Sequence, residues 1–322
     1  MSTADLADSL AAALGGATID DLQRLSGGAS RETWKFRADG RALILQRQRG
    51  GDVRDMGLEV AVLRTARAGG VPVADVIAAS TDHSDLGASY MVLSHVEGET
   101  IARKILRDDE FIAARSRLTS DCAVALARLH AIPPNAVPGL QALDQIEQYR
   151  TVLDTVGRPH PTFELAFRWL EAHRPSPVDP LADDAPTRPC IVHGDFRLGN
   201  LMVDGGGLAA VLDWELAHLG DPLEDLGWLC VKAWRFGSPK PVAGVGEYDE
   251  LLAAYSAESG VAVDAEAVHW WEVLGTLKWG IMCIIQSEAH LSGASRSHEL
   301  AAIGRRVCEN EHDLFLALDG RW

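Results

Sequence analysis

Residues 190–215 read CIVHGDFRLGNLMVDGGGLAAVLDWE, and this stretch decides the fold prediction. Apolar runs flank the polar loop HGDFRLGN, and a glycine turn separates two apolar runs that predict a β-hairpin. Asp195 and Asn200 lie in the loop, and Asp213 follows the last apolar run. The stretch therefore predicts three polar side chains positioned by one loop and one hairpin.

The loop has the spacing H-x-D-x-x-x-x-N, which is that of a kinase catalytic loop. In that chemistry the Asp orients the substrate hydroxyl or accepts its proton, and the Asn turns back to hold Mg²⁺. The spacing predicts Asp195 as the catalytic residue, with Asn200 and Asp213 as metal ligands. Arg197 follows Asp195 closely and is predicted to contact the transferred phosphoryl group, or else to form an ion pair within the loop.

Residues 193–229, HGDFRLGNLMVDGGGLAAVLDWELAHLGDPLEDLGWL, resemble the aminoglycoside phosphotransferase/choline kinase superfamily. Within it, the chain looks most like the phosphotransferase-like domains found fused to acyl-CoA dehydrogenases. The resemblance implies an α+β, bilobal protein-kinase-like fold. The small β-rich N-terminal lobe is expected at residues 1–96 and the larger, mostly helical C-terminal lobe at residues 97–322. Asp221 and Asp225 are expected to anchor the catalytic loop.

The same resemblance implies an activity. It implies a kinase that moves the γ-phosphoryl group of ATP to a hydroxyl of a small molecule, with Mg²⁺ as cofactor. Two other hypotheses come from different classes. One is a nucleotide-binding pseudokinase or sensor, and the other is a protein kinase, which is disfavoured because DWELAHLGDP leads directly into a helix rather than into an activation segment.

The pattern outside the catalytic stretch agrees with this organisation. A helix is predicted in TADLADSLAAALGG, then strands around the glycine-rich turn of LSGGASRETWKF and the Asp39-Gly40 turn. MGLEVAVLRTARA has helical spacing, and VADVIAAS and YMVLSHVEG are strand candidates. From Leu223 to the end of the chain the pattern is mostly helical.

The N-terminal part is predicted to bind the nucleotide. Backbone N–H groups can approach phosphates closely where side chains are small or absent, which points to Gly27 and Gly28, with Ser30 as a hydroxyl donor. The resemblance places the adenine-binding hinge at Ser94 and Val96. It also aligns Glu59 with the helix carboxylate that normally pairs with a cation on the third strand.

The third strand departs from the family pattern. In ALILQRQR, Gln46 stands where a Lys or Arg is expected, and a neutral amide cannot supply the charge that steadies the phosphates. Arg47 is the candidate substitute for binding the nucleotide. Because successive strand residues face opposite sides, Arg47 can take the place of Gln46 only with a bulge or a register shift. The alternative role for Glu59 is that of an exposed charge on its helix.

Composition limits the partners. The formal net charge of −16 argues against nucleic acid, and it favours either a cationic substrate or simple solubility. The five cysteines show no CxxC pair, which predicts free thiols in a reducing cytosol. The N-terminus lacks the pattern of a signal peptide, and no apolar run reaches the roughly 18–20 residues of a membrane span, so a soluble, cytoplasmic protein is expected.

The phosphate acceptor stays open. Trp270 and Trp279 lie in a dense apolar helix, where such a stripe is usually core, although either residue is a candidate for the pocket wall. The acidic charge favours an amino alcohol or an aminoglycoside-like molecule. The resemblance to dehydrogenase-fused domains favours a hydroxyacyl thioester instead.

Overall fold

The computed structural model describes residues 2–25, 31–49, 54–175 and 189–321. Its N-terminal part contains a five-stranded antiparallel sheet in the order β1-β2-β3-β5-β4. The strands are β1 (Ile19–Arg24), β2 (Arg31–Ala38), β3 (Arg41–Gln48), β4 (Val76–Ser80) and β5 (Tyr90–Ser94). The predicted Asp39-Gly40 turn joins β2 to β3, and both of its residues have positive φ angles.

Helices cover both faces of this sheet. Helix α1 (Thr3–Ala13) buries Leu6 and Leu10 against one face, together with Phe36 and Leu45. Helix α2 (Met56–Ala68) lies near β4 and β5 and contributes to the largest apolar core. The alternation of buried residues along β2 and β3 follows from side chains pointing to opposite faces of a strand. Arg31 and Gln46 lie on the face opposite α1, on the side of α2.

The rest of the chain is mostly helical, as the pattern predicted. The remaining helices are α3 (His83–Leu86), α4 (Ala102–Arg107), α5 (Ile112–His130), α6 (Gln145–Val156), α7 (Pro161–Ala172), α8 (Leu223–Cys230), α9 (Tyr248–Ser259), α10 (Ala265–Leu291), α11 (His298–Ile303) and α12 (Arg306–Leu318). Short 3₁₀ turns occupy Asp109–Phe111, Pro134–Ala136, Leu198–Asn200 and Lys232–Arg235.

Two short ladders interrupt the helices and carry the catalytic stretch. β6 (Cys190–Val192) pairs with β9 (His218–Gly220), and β7 (Leu201–Asp204) pairs with β8 (Gly207–Val211), all antiparallel. The predicted glycine hairpin is therefore confirmed. The polar loop lies between β6 and β7, so both ladders hold its ends.

Apolar packing fixes the frame around this loop. Ile191, Phe196, Leu198 and Leu201 belong to the core that α5, α8 and α9 complete. A second core joins α7, α10 and α12, and it includes Phe163, Phe167 and Leu277.

All five cysteines are free thiols, and Cys308 is the exposed one. Among the described residues, no helix combines the length and apolar character needed to cross a membrane.

Candidate active site

The Asp195 carboxylate is held by three side-chain donors. The indole Nε1 of Trp228 donates to Oδ1 at 2.8 Å, and Nε of Arg197 donates to the same oxygen at 3.0 Å. Nδ2 of Asn200 donates to Oδ2 at 2.6 Å and to the Asp195 backbone carbonyl at 3.0 Å. Charge-assisted bonds of this kind fix the orientation of a carboxylate more firmly than packing does. The structure thus brings together Asp195, Arg197 and Asn200.

The backbone of the loop is anchored from α8. The fully buried Asp225 carboxylate accepts the backbone N–H groups of His193 at 2.7 Å and Gly194 at 2.9 Å, and His130 Nε2 lies 3.2 Å away. Burial alone would raise the pKa of Asp225, but the hydrogen bonds from His130 and the loop keep it below its usual value. This confirms the anchoring role predicted for Asp225. Asp221 instead accepts the N–H of Leu223 at the start of α8.

Gly194 is required by the shape of this loop. Its φ angle is +77°, and a Cβ atom placed on it would lie 2.6 Å from the carbonyl oxygen of Leu216. The buried Nζ of Lys278 donates to the Gly194 carbonyl at 2.9 Å and to Glu224 at 3.3 Å. Both peptide groups before Asp195 are therefore held by buried side chains.

His193 supports the loop through both ring nitrogens. Its Nε2 lies 2.9 Å from the Leu212 carbonyl, so it donates there, and its Nδ1 accepts the N–H of Asp195 at 3.1 Å. Burial lowers the pKa of His193, which agrees with a neutral ring in that tautomer. The His193 ring therefore connects the loop to the residue that follows β8.

The β7–β8 hairpin places Asn200 beside Asp213. Leu201 pairs with Val211, so the residues just outside this pair, Asn200 and Leu212, are neighbours, and Leu212 N donates to Asn200 O at 2.8 Å. Asp213 comes next along the chain. The two predicted metal ligands thus leave the same end of one hairpin.

Asp213 has the geometry and electrostatics of a functional carboxylate. Its φ angle is +63°, a left-handed conformation that aspartate tolerates better than most residues do. The side chain is accessible to solvent. Partial desolvation between the surrounding groups, with the negative charges of Glu215 and Asp195, raises the pKa of Asp213 to about 6.

Arg197 is fixed by more than its ion pair. Its guanidinium carbon lies 4.6 Å from the ring centre of Trp234, which belongs to an aromatic cluster with Trp228 and Trp279. Trp279 packs against Trp234 with ring centres 4.8 Å apart and ring planes tilted by 56°. By contrast, Trp270 is core: it is 3% exposed, and its indole N–H donates to the Leu170 carbonyl.

The partner of Glu59 comes from β2 rather than from β3. Arg31, the first residue of β2, forms a bidentate ion pair with Glu59 through Nη1 at 2.7 Å and through Nη2. Nη1 also donates to Oε1 of Gln46 at 3.1 Å, and Nη2 lies 3.4 Å from Oε2 of Glu215. Arg31 and Glu59 are 7% and 6% exposed, so Glu59 is not a solvated helix charge.

Arg47 does not join this cluster. The β2–β3 register shows no bulge and pairs Glu32 with Arg47 and Thr33 with Gln46, which places Arg47 on the opposite face from Gln46. Its Nη1 donates to Oε2 of Glu32 at 3.1 Å. This strand pair therefore lacks the bulge or register shift that Arg47 would need to take the place of Gln46.

The backbone of the predicted hinge is only partly hydrogen-bonded. The backbone N–H of Ser94 donates to Asp75 at 2.9 Å, and its hydroxyl accepts from Asp75 N at 2.8 Å. Within the described residues, no hydrogen bond to the backbone of Val96 is found. Gly27, Gly28 and Ser30 lie outside the described residues.

Sequence reasoning missed Arg31, Trp228 and Lys278. Only the position of Arg31 carried a signal, because it follows the glycine-rich turn directly and Gln46 had left a cation unaccounted for. Trp228 reaches Asp195 from α8, and Lys278 reaches Gly194 from α10. Their local sequence gives no indication of these contacts.

Comparisons with known proteins identify the family and the fold. A model of the phosphotransferase enzyme family matches residues 21–269. Acyl-CoA dehydrogenase family member 11 of Gallus gallus is 24% identical over 326 residues, covering 91% of this chain and 40% of the relative. Hygromycin-B 4-O-kinase of Escherichia coli is 24% identical over 215 residues, covering 63% of this chain and 60% of the relative. The chain therefore spans less than two thirds of either protein.

Solved structures show the same fold. A Ralstonia eutropha protein described as an aminoglycoside phosphotransferase superposes with a TM-score of 0.76 at 20% identity, covering 99% of this chain and 98% of its own. A thermostable aminoglycoside phosphotransferase in complex with ADP and hygromycin B gives 0.63 at 14% identity, covering 98% of each chain. The α+β, protein-kinase-like fold and the resemblance seen in residues 193–229 are thereby confirmed. With the family model covering most of its length, this chain belongs to the phosphotransferase enzyme family.

Proposed function

We propose that this protein transfers the γ-phosphoryl group of ATP to a hydroxyl of a small molecule, with Mg²⁺ as cofactor. One observation carries the proposal: a carboxylate, Asp195, is oriented by Trp228, Arg197 and Asn200 on a loop whose hairpin also presents Asp213. Family membership supports phosphoryl transfer as the reaction class. The division into a nucleotide lobe at residues 1–96 and a catalytic lobe at residues 97–322 belongs to the same proposal.

The residues present fit a Mg²⁺ ion shared with a nucleotide. Asp213 is an accessible carboxylate whose pKa is raised by partial desolvation and by neighbouring acids, so a divalent cation there would relieve repulsion. No group of three or more His, Cys, Asp or Glu side chains in the described part of the chain is arranged to hold a metal. Asp213 and Asn200 would therefore hold Mg²⁺ together with phosphate oxygens, which is how this ion is usually bound. When bound, Mg²⁺ neutralises charge on those oxygens.

Asp195 orients the acceptor. A hydroxyl that donates to its carboxylate is held in position for attack on the γ-phosphorus. As the new O–P bond forms, the bond from the γ-phosphorus to the bridging oxygen breaks and ADP leaves, while the hydroxyl proton passes to a carboxylate oxygen of Asp195. Because the Trp228, Arg197 and Asn200 donors are already in place, little reorganisation accompanies this step. Arg197 lies beside Asp195, where its guanidinium compensates negative charge on the transferred group.

The nucleotide base and phosphates would lie along the N-terminal sheet. The backbone of Val96 is free of hydrogen bonds to other described residues and can pair with adenine, whereas the N–H of Ser94 is already bound to Asp75. Gly27, Gly28 and Ser30 remain the proposed phosphate contacts of the glycine-rich turn. The free thiols agree with a cytosolic location, where ATP is abundant.

Two acceptor classes remain in the proposal because relatives point to both. The kinase relative is named for hygromycin B, an aminoglycoside-type acceptor, and the Gallus gallus relative is named as an acyl-CoA dehydrogenase family member. The first favours an amino sugar or amino alcohol and the second a hydroxyacyl thioester. Both are small hydroxylated molecules.

The alternative function is a nucleotide-binding pseudokinase or sensor, which Gln46 suggested. The ion pair of Arg31 with Glu59 weakens that alternative, because it restores a cation beside the helix carboxylate. ADP release should be measured with Mg·ATP and a panel of amino alcohols, amino sugars and hydroxyacyl thioesters. Acceptor-stimulated release that Asp195→Asn abolishes supports the kinase. Tight Mg·ATP binding without stimulated release from any panel member supports the alternative.

A further inference from the structure

We propose that Arg31 is the nucleotide-binding cation of this site and that it replaces the strand-three cation missing at Gln46. The inference rests on the proposed function, since it assumes that a nucleotide binds between the sheet and the catalytic loop. It adds a specific residue, on a different strand from the one where the family's cation is expected.

The register of β2 and β3 gives Arg31 access to the position that Gln46 vacates. Arg31 pairs with Gln48, and Thr33 pairs with Gln46. Directly paired residues share a face, so Arg31 and Gln46 are diagonal neighbours on one face of the sheet. Their side chains meet there, with Nη1 of Arg31 donating to Oε1 of Gln46 at 3.1 Å. The amide at position 46 is thus a hydrogen-bond acceptor for the relocated cation.

The guanidinium of Arg31 has one donor to spare. Nη1 donates to Glu59 and Gln46, and Nη2 binds Glu59 and faces Glu215 at 3.4 Å. Three of the five N–H bonds of the side chain thus donate to Glu59 and Gln46, and Nη2 also forms an ion pair with Glu215. The remaining Nε is buried and has no hydrogen-bond partner among the described residues. Nε of Arg47 shares this property but lies on the opposite face of the sheet, so of these two donors only Nε of Arg31 is on the face of Gln46, where a phosphate oxygen has the right chemistry to accept from it.

The surrounding charges explain why such an acceptor would arrive with Mg²⁺. Glu59, Glu215 and Asp213 all act on Arg31 and raise its pKa further, against the effect of burial, so it stays charged. Arg54 also pairs with Glu215. Three carboxylates against two guanidinium groups leave this region with a net charge of −1, which disfavours a free polyphosphate. A phosphate neutralised by Mg²⁺ avoids that repulsion.

Arg31 also lies at the right point along the chain. It follows the glycine-rich turn directly, and Nη2 approaches Glu215, two residues after the proposed metal ligand Asp213. An arginine here therefore connects the helix carboxylate Glu59 with the Asp213 segment. A phosphate contact from Nε would place the nucleotide close to the proposed metal ligands.

The test moves the cation from position 31 on β2 to position 46 on β3. Binding of Mg·AMP-PNP should be measured by calorimetry for the wild type, Arg31→Gln, and the double variant Arg31→Gln/Gln46→Arg. We expect Arg31→Gln to weaken binding by about tenfold to a hundredfold, as for loss of a charged hydrogen bond. The double variant, which returns the cation to β3 opposite Glu59, should recover most of that loss. Arg47→Gln is the matched control and should bind within about twofold of the wild type.

Folding must be separated from binding, because Arg31→Gln leaves Glu59 buried without its cation. Arg31→Gln/Glu59→Gln removes both charges, and it is expected to keep the wild-type melting temperature more closely while still binding weakly. Wild-type affinity in Arg31→Gln or in Arg31→Gln/Glu59→Gln overturns the inference and leaves the proposed function standing, and so does a folded Arg31→Gln/Gln46→Arg variant that recovers no affinity. Failure of the wild type to bind Mg·AMP-PNP contradicts both.

Discussion

The indole N–H of Trp228, on α8, donates to Oδ1 of Asp195 at 2.8 Å. Trp228 is 2% exposed, so packing rather than solvent determines where its N–H points. Gly227 allows α8 to approach α10, because a Cβ atom there would lie 2.6 Å from Cβ of Trp271. The orientation of the Asp195 carboxylate is thus tied to a close contact between two helices of the C-terminal part.

Trp228→Phe tests this positioning role. Phenylalanine keeps most of the aromatic packing and removes only the N–H donor, so the nucleotide affinity should stay unchanged. A hydrogen bond to a charged group contributes about 1.5–3 kcal/mol, which predicts a fall in kcat of about tenfold to a hundredfold. Steady-state kinetics and nucleotide calorimetry on the same preparation separate the two effects. An unchanged kcat would show that Arg197 and Asn200 suffice to orient Asp195.

Asp213→Asn tests the proposed metal ligand through stability. The pKa of Asp213 in the folded protein is raised to about 6, so the folded state binds more protons than the unfolded state between about pH 4 and 6. Ionisation of Asp213 therefore lowers stability as the pH rises through that window. Asparagine avoids this charge and tolerates the left-handed backbone, so the unliganded variant should melt at or above the wild-type temperature at pH 7.5.

The effect of Asp213→Asn on melting temperature should reverse when the nucleotide is bound. A ligand that binds only the folded state raises its melting temperature, so Mg·AMP-PNP should stabilise the wild type. Asp213→Asn should lose most of that shift, and Asn200→Ala should lose less, because an amide contributes only a dipole to a hard cation. Thermal unfolding with and without Mg·AMP-PNP measures this. If Asp213→Asn keeps the full shift, Asp213 is not a ligand of the bound metal.

Arg197 and Arg47 make a matched pair of arginines with different surroundings. Arg197 contacts the Asp195 carboxylate, whereas Arg47 pairs with Glu32 on the opposite face of the sheet from Gln46. Arg197→Ala should lower kcat by about 10²–10³ because it removes preorganised charge at the reacting group. Arg47→Ala should leave kcat and KM within about twofold. Initial-rate measurements on both variants decide, and a larger loss in Arg47→Ala would refute the assignment of Arg197.

Asp225 should dominate the stability of the catalytic loop. Asp225→Ala leaves His130 and two loop N–H groups without their buried acceptor, which predicts a loss of about 3–5 kcal/mol in the free energy of unfolding. Asp221→Ala removes one hydrogen bond at the start of α8 and should cost about 1 kcal/mol. Urea unfolding of both variants provides the comparison. Equal losses would mean that Asp221 supports the loop as well.

The sequence predicted local features of the fold and site well. The catalytic loop, the glycine hairpin and helix α2 are local patterns, since each depends on residues close together in the chain. Loop spacing alone indicated that Asn200 turns back toward Asp195, and the structure shows that contact at 2.6 Å.

The sequence alone could not predict the contacts that depend on strand register or on helix packing. The pairing of Arg31 with Glu59 follows from which face of β2 and β3 each residue occupies, and the sequence could only mark Gln46 as unusual. Arg47 was the nearest cation along the chain, but an uninterrupted register turns it away from Gln46. Trp270 and Trp279 share one apolar helix, yet only Trp279 reaches the aromatic cluster beside Arg197.

The central claim is that Asp195 directs phosphoryl transfer from Mg·ATP to a small-molecule hydroxyl. Phosphorus NMR of the protein with Mg·ATP and a mixed panel of amino alcohols, amino sugars and hydroxyacyl thioesters tests it most directly. The wild type should give a new phosphomonoester signal in step with ADP formation, and Asp195→Asn should give neither while still binding nucleotide within about tenfold of the wild type. A phosphomonoester formed equally fast by Asp195→Asn, or ATP converted only to inorganic phosphate by the wild type, would contradict the account.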